Sequence, residues 1–228
     1  MAYEGQNLDE IIIRDVSVKL ARTYISAYHY LHSVPDSTRE CYGGYFNDNL
    51  AAVLTFGTGC SNNVFSSVWS KATADTSREL TRLWSPDGMP KNTESKFVSA
   101  CLKRLDKNVN LVVSFADPAQ HHIGRIYQAT NFFFVGMSSA GVRYVDENGN
   151  EVHARNLGIY RMRHPEYRDI NTPELLKILK WTEKDTEGKY KYVYIRPRCN
   201  KEKIEMMKEL QPLIKPYPKE VAEEPLNK

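Results

Sequence analysis

The sequence predicts an α/β fold with a mixed, mostly antiparallel central sheet flanked by helices. Three observations carry this. Two β-rich runs, Cys41–Phe46 and Leu50–Gly57, are joined by Asn47-Asp48-Asn49, a hairpin turn. Apolar residues recur at helical spacing in Val18 to about Tyr30 and in Glu94–Asp106. A further apolar run, Leu111–Phe115, passes through a short polar loop into a helix-like segment, so strand–helix–strand units follow the early hairpins.

The elements follow in order. Glu10–Ser17 (EIIIRDVS) reads as a first strand, and Ser17 caps the helix beginning at Val18. The loop HSVPDSTRE leads into the hairpin, which ends at Gly57-Thr58-Gly59. Val64–Trp69 reads as a short extended piece. Ser77–Trp84 (SRELTRLW) reads as a strand, with Glu79, Thr81 and Leu83 on one face and Leu80, Arg82 and Trp84 on the other. The Glu94–Asp106 helix buries Phe97, Ala100, Cys101 and Leu105 and is capped at Asn92 or Thr93. The central strand, its loop and a helix over Ile123–Asn131 come next. Phe132–Val135 continues as a strand. Val142–Val145, Glu151–Arg155 and Leu157–Arg163 suggest a further antiparallel region turning at Asp146-Glu147-Asn148-Gly149. Thr172–Trp181 reads as a helix with Pro173 at its first position. Tyr190–Arg196 is a last strand, and a charged helix runs from about Lys201 to Leu210. Residues 1–200 are read as one domain with a C-terminal strand extension. Residues 201–228 are read as a short helix and a mobile tail rich in proline and charge.

Bulk properties bound the function. The chain has 228 residues, 41% of them hydrophobic, which supports a real core. A net charge of +3 does not by itself demand nucleic acid, so any such surface is local. Cys41, Cys60, Cys101 and Cys199 are scattered without a C-x-x-C pair, which argues against a disulfide framework and fits a reducing cytosol. The segment MAYEGQNLDE lacks a signal-peptide core, and no apolar run approaches the ~20 residues of a membrane span. Late in the chain, Arg155, Arg161, Arg163, His164, Arg168, Lys189, Lys191, Arg196, Arg198, Lys201 and Lys203 interleave with Tyr160, Tyr167, Tyr190, Tyr192 and Tyr194. This composition fits a nucleic-acid face or a solvated sheet edge guarded by lysines.

The residues able to do chemistry gather around one segment, LVVSFADPAQHHIGRIYQATNFFFVG (111–136). Asp117 follows the strand end, where α/β sheets place their sites. It is either a base or a turn cap. Tyr127 lies one helical turn past Gly124 and is either a proton donor or a half-buried tyrosine. Glu79 and Arg82, three apart on a strand, face opposite sides, and Ser95 opens the long helix as a cap or an anion ligand. In HYLHSVP, His29 and His32 share a helix face. That spacing can bind metal, but no third ligand is evident, so no metal site is assigned and a metal's involvement stays open.

The order β-α-β-β-β-α-β-α-β resembles the Gcn5-related N-acyltransferases, whose Q/R-x-x-G-x-G/A loop holds the pyrophosphate of coenzyme A on backbone N–H groups. The nearest match is His121-His122-Ile123-Gly124-Arg125-Ile126. It is an irregular one that also reads as an ordinary strand–helix turn.

Taken together, HYLHSVP, GGYFNDNLAAVLTFG, ELTRLW, ESKFVSACLKRL and VVSFADPAQHHIGRIYQATNFFFVG resemble the phage Mom family of DNA adenine-modifying proteins, over about His29 to Gly136. The resemblance implies catalytic roles for Asp117, Tyr127, Arg82 and Ser95. It implies donor binding by His121, His122, Ile123, Gly124 and Arg125, and substrate binding by His29, Tyr30, His32 and Ser114. It further implies conversion of adenine N6 in double-stranded DNA, with the base flipped out, to a carbamoylmethyl-type derivative that protects phage DNA from restriction in the host cytoplasm. The implied donor is acetyl-CoA or another activated acyl compound, an aminoacyl-tRNA among them. Two other readings remain: a coenzyme A-dependent N-acyltransferase acting on a small amine or protein, and a non-enzymatic nucleic-acid-binding module of the same fold.

Overall fold

A computed structural model describes residues 11–59 and 61–219. Its elements are β1 (Ile12–Asp15), α1 (Val18–Tyr28), β2 (Thr38–Phe46), β3 (Asn49–Gly57), α2 (Asn63–Ser66), β4 (Ser77–Trp84), α3 (Thr93–Arg104), β5 (Leu111–Ala116) and α4 (Arg125–Ala129). Then come β6 (Phe133–Met137), β7 (Gly141–Val145), β8 (Glu151–His153), α5 (Ala154–Arg163), α6 (Thr172–Leu179), β9 (Thr182–Thr186), β10 (Tyr190–Ile195) and α7 (Asn200–Leu210). The described residues fall into two compact units, one of 11–59, 61–117, 121–136 and 190–219, the other of 118–120 and 137–189. Among the described residues, no helix is long and apolar enough to cross a membrane.

The larger unit holds a seven-stranded sheet in the order β1-β2-β3-β4-β5-β10-β6. The expected mixed, mostly antiparallel sheet with flanking helices is what forms. Asn47 and Asp48 both have positive φ (45° and 62°), the conformation that a twisted two-residue hairpin requires. Ser17 caps α1 through its hydroxyl, which accepts from Leu20 N at 3.1 Å. Helix α3 lays Phe97, Val98, Cys101 and Leu102 into the main core against Leu54, Phe56 and Leu80. Each such fully buried side chain stabilises the fold by roughly 1.5–3 kcal/mol. The expected α3 face is therefore shifted slightly, with Leu102 buried and Ala100 only half-buried.

Two features of this sheet create a site. Strands β4 and β5 are parallel and pair from Ser77↔Leu111 only as far as Leu80↔Ser114, while β4 runs on to Trp84 and β5 to Ala116. The strands therefore part at Leu80 and Ser114, leaving a wedge at their C-terminal ends. Against β3, Thr55 pairs with Arg82 and Phe56 with Leu80, so Thr81 is an extra residue. Such a bulge breaks the two-residue alternation. It overturns the expectation that Glu79 and Arg82 face opposite sides, and their charges act on each other. The hydroxyls of Thr55 and Thr81, 2.8 Å apart, fasten the bulge.

Several sequence-based expectations are corrected here. Val64–Trp69 is not extended: its first half lies in α2 and the rest continues in helical turns, because Phe65, Val68 and Trp69 are buried at i, i+3 and i+4. The helix expected over Ile123–Asn131 shortens to Arg125–Ala129, with Gly124 left-handed before it and Asn131 (φ 63°) after it. Residues 211–219 do not swing free: Lys215 N donates to Phe134 O and the Tyr217 hydroxyl to Phe132 O, each at 2.8 Å. Glu10 and the remainder of the tail, from Glu220, lie outside the described residues, as does Cys60. β10 enters the sheet between β5 and β6, a placement that sequence order does not reveal.

The smaller unit has a three-stranded sheet in the order β8-β7-β9, with Tyr144, Leu157, Leu175 and Leu176 as its core. The strand expected over Glu151–Arg155 forms as the shorter β8, paired antiparallel with β7, whereas the strand expected over Leu157–Arg163 gives way to α5, because Ala154, Leu157 and Tyr160 recur at helical spacing toward that core. Asn171 caps α6 by accepting from Glu174 N at 3.0 Å. β9 went unpredicted: its residues Thr182–Asp185 are exposed and polar, and it is held by pairing to β7.

Candidate active site

The wedge between β4 and β5 is lined by a chain of hydroxyls. Ser114, fully buried at the last paired position of β5, donates from Oγ to Leu80 O at 3.0 Å. Its proton is thus committed, and the Tyr127 hydroxyl, which hydrogen-bonds Ser114, donates to Ser114 Oγ. Tyr127 lies in α4, one turn past its N-cap Gly124. It is half-buried. Burial pushes its pKa up to about 12, and Tyr30, Glu79 and Tyr192 add to the rise. Tyr127 is therefore a neutral phenol at physiological pH and keeps a transferable proton.

A cation and a neutral histidine lie in the same neighbourhood: Tyr30 and Glu79 act on both Tyr127 and Arg82, and Arg82 acts on His29. Arg82 donates from Nε to Ser33 O at 2.7 Å and from Nη1 to Thr81 O at 2.6 Å. Burial lowers its pKa, Tyr30 and Glu79 raise it, and the guanidinium stays charged. Leu31 N donates to His29 Nδ1 at 3.1 Å, so in the neutral ring the proton sits on Nε2. Burial lowers the His29 pKa to about 4, with Arg82, His122 and His32 contributing in that order. His29 stacks on Tyr30 (centroids 4.5 Å apart, 23° between planes), and Tyr30 meets His122 edge-on at 6.0 Å.

This arrangement makes a pH prediction. The folded pKa of His29 lies below its unfolded value near 6.5. The unfolded chain thus binds more protons between the two values, and stability falls as pH drops from about 6.5 toward 4. After allowance for solvent screening, the expected loss is about 1–2 kcal/mol. It should vanish in His29→Gln, as measured by urea unfolding at pH 7 and pH 4.5. An equal loss in the variant would refute the assignment.

The remaining predicted residues are placed as follows. Asp117 is half-buried just past β5, and its carbonyl accepts from His122 N at 3.2 Å. The Ser95 hydroxyl donates to Asn92 O at 3.1 Å, within the entry turn of α3 rather than toward the wedge. His32 does not share a helix face with His29, because α1 ends at Tyr28. His32 sits at φ 46° with Nδ1 3.0 Å from Ser26 O. Among the described residues, no three His, Cys, Asp or Glu side chains are grouped as metal ligands. His121, His122 and Arg125 are exposed, whereas Gly124 is buried and faces the Tyr192 ring. Ile123 O accepts from the Tyr192 hydroxyl and from Gln128 Nε2. Of the late basic residues, Arg161, Lys191, Arg196 and Arg198 donate to internal partners, and the side chain of Arg155 lies outside the described ones.

The family model described as the Mom protein family matches residues 10–219. The chain belongs to the Mom protein family. A Mom relative, the methylcarbamoylase mom of Escherichia phage Mu, is 34% identical over 141 residues, covering 59% of this chain and 58% of the relative. The chain thus spans about 58% of the length of that curated relative. Solved structures with partial likeness include a Bacillus subtilis acetyltransferase in complex with CoA (11% identity, TM-score 0.42, covering 82% of this chain and 99% of that one). A spermidine N-acetyltransferase from Vibrio cholerae in complex with CoA and spermine gives 8% identity and a TM-score of 0.44, covering 82% and 96%.

In this Mom-family chain the wedge brings together Arg82, Tyr127, Ser114, His29, Tyr30 and His122, which come from four segments of sequence. Glu79 was missed as a site residue, and so was Tyr192. Glu79 acts on Tyr127 and Arg82 alike, and its signal is the bulge at Thr81, which strand alternation hides. Tyr192 comes from β10, 65 residues beyond Tyr127 by their numbering, with its ring 5.2 Å away. Chemically, the wedge offers one neutral O–H acid, one fixed cation and an N–H donor.

Proposed function

We propose that this Mom-family protein is a DNA-modifying transferase that attaches an activated acyl-derived group to the exocyclic N6 of adenine, yielding a carbamoylmethyl-type adduct that shields phage DNA from restriction. The observation that carries the reading is the Tyr127–Ser114–Leu80 hydroxyl chain at the point where β4 and β5 part. The N6 lone pair is delocalised into the purine ring, so the amine needs an activated donor, close positioning and proton removal.

Each residue then has a role. Tyr127 Oη holds the proton that a departing group requires. Arg82 presents positive charge to developing negative charge beside the wedge. Asp117, past the strand end, takes the proton lost from N6. His29 Nε2–H and the Tyr30 ring face the base, which in a duplex must leave the stack. The exposed Tyr28 ring lies 5.1 Å from Trp84 at the end of β4 and offers a stacking platform near the same strand end.

The donor class we favour is an acyl thioester such as acetyl-CoA: attack of N6 on its carbonyl would release the thiol and leave an N6-acyl adenine, so a carbamoylmethyl product, in which N6 is bonded to the methylene carbon, needs a further reactant to form that bond. The residues fit such a donor in part. Exposed His121, His122 and Arg125 offer polar groups to its phosphates, but the open face of Gly124 is taken by Tyr192. An acetyl group contains no nitrogen, so the carbamoyl nitrogen has to come from the donor itself or from a second reactant.

The test is nucleoside mass spectrometry of DNA from cells expressing the wild type or Asp117→Ala. The expected result is a modified deoxyadenosine whose mass separates acetyl from carbamoylmethyl, reduced about 10²–10⁴-fold in the variant. Unmodified deoxyadenosine from wild-type cells, together with acyl turnover on a small amine, would sink the proposal.

A further inference from the structure

Helix α4, which carries Tyr127, does not hold its own orientation. It has five residues, and isolated helices that short are unstable in water. Left-handed residues bound it on both sides, Gly124 (φ 78°) and Asn131 (φ 63°), so neither flanking segment continues its axis. The Tyr127 hydroxyl is nevertheless aimed at Ser114. The contacts that aim it come from elsewhere in the chain.

Two of them come from the segment after α7. The Tyr217 hydroxyl donates to Phe132 O at 2.8 Å. Phe132 is fully buried, its N–H donates to Tyr127 O at 3.0 Å, and its ring packs on the Tyr127 ring with centroids 5.3 Å apart. One residue on, Pro218 O lies 3.4 Å from Gln128 Nε2, which is also 3.2 Å from Ile123 O and 3.3 Å from the Tyr192 hydroxyl. Residues 217 and 218 thus hold the exit of α4 through Phe132 and its body through Gln128.

This segment is fixed in place. Pro212, Pro216 and Pro218 set φ at three of its positions, which lowers the entropy lost on docking. Ile214 packs against the core around Met206 and Leu210, and Lys215 N donates to Phe134 O at 2.8 Å. The Lys215 side chain crosses Gly136, where a Cβ would lie 2.9 Å from Nζ. Tyr217 itself is 42% exposed while its hydroxyl is committed, so it contributes direction more than buried area.

We propose that Tyr217 is a positioning residue: through Phe132 it sets the angle at which α4 presents the Tyr127 hydroxyl to the wedge, with Gln128 as the second tie. Its importance for catalysis rests on the reading of Tyr127 as the acid of the transfer. Its effect on the Tyr127 ring does not.

The test uses the full chain carrying Tyr217→Phe, which removes only the hydroxyl. Single-turnover modification of deoxyadenosine in duplex DNA should slow about tenfold, with the DNA concentration for half-maximal rate unchanged. The melting temperature should fall by about 2–4 °C. In a Tyr127→Phe background, Tyr217→Phe should slow the reaction no further, since the group it acts through is gone. Ser70→Ala, which removes a hydrogen bond to Glu209 of 2.9 Å, should keep the wild-type rate. A second readout needs no activity. In protein carrying an NMR-visible carbon label at tyrosine Cζ, the Tyr127 resonance, assigned by its loss in Tyr127→Phe, should shift in Tyr217→Phe. The proposal is overturned if that resonance does not move, if the Tyr217→Phe loss persists in full in the Tyr127→Phe background, or if Ser70→Ala slows the reaction equally. A wild type that leaves deoxyadenosine unmodified, with the resonance shift present, would instead sink the transferase reading and leave the positioning of Tyr127 standing.

Discussion

Tyr127→Phe should lower the yield of modified deoxyadenosine by about 10²–10⁴-fold while the protein stays folded and still binds DNA. The substitution removes one atom. That atom is the donor to Ser114 Oγ and the neutral acid of the wedge. The structural penalty is small, about 1 kcal/mol, because Ser114 loses an incoming hydrogen bond but keeps its bond to Leu80 O. A large loss of product with a nearly unchanged melting temperature therefore separates a catalytic role from a packing role. The pH profile gives a second check. Burial holds the Tyr127 pKa at about 12, so the phenol stays protonated through neutral and mildly alkaline pH. Single-turnover rates on duplex DNA should show no alkaline limb from this group below about pH 11. Product formation unaffected by Tyr127→Phe would remove Tyr127 from the mechanism, and with it the principal physical support for transfer chemistry in the wedge.

The parts of this molecule legible in the sequence are those fixed by local periodicity. The β2–β3 hairpin, α1 with its Ser17 cap, α3 and β4 all lie where alternation, helical spacing and turn residues place them. The strand, loop and helix of the candidate site from Ser114 to Tyr127 were legible because one uninterrupted stretch carries all three. Illegible features depend on contacts between distant residues. The bulge at Thr81 turns Glu79 and Arg82 to one side, and nothing in ELTRLW distinguishes it from a regular strand. The insertion of β10 beside β5 brings Tyr192 against Tyr127, and no local pattern encodes that pairing. α5 was misread because a short apolar run fits both periods until its core is known. The same limit applies to the glycine loop, where a glycine read as a possible phosphate cradle has a different physical reason.

Gly124→Ala should destabilise the fold by about 2–4 kcal/mol. A Cβ built at Gly124 would lie 2.4 Å from Tyr192 Cε2, 2.6 Å from Cζ and 2.8 Å from the hydroxyl oxygen. The ring cannot easily retreat: Tyr192 is fully buried, its hydroxyl is tied to Ile123 O, and it packs on Tyr127 and Phe134. Backbone strain adds to the clash, since φ at Gly124 is +78°, a region that alanine enters at a cost of about 1–2 kcal/mol. Together these should lower the melting temperature by on the order of 10 °C in a chain of this size. Gly158 in α5 is the control. Nothing lies within 4 Å of a Cβ there, so Gly158→Ala should raise stability by about 0.5–1 kcal/mol through helix propensity alone. A double-mutant cycle completes the test. If the clash is the cause, Tyr192→Leu, which removes the ring, should recover part of the Gly124→Ala loss, leaving the φ strain behind. A neutral Gly124→Ala would show that the Tyr192 contact gives way readily, and the glycine would then have to be explained by the close approach of a ligand. Because Tyr192 supports the Tyr127 ring, the clash should also lower product yield in molecules that remain folded, which links the packing of β10 directly to the acid in the wedge.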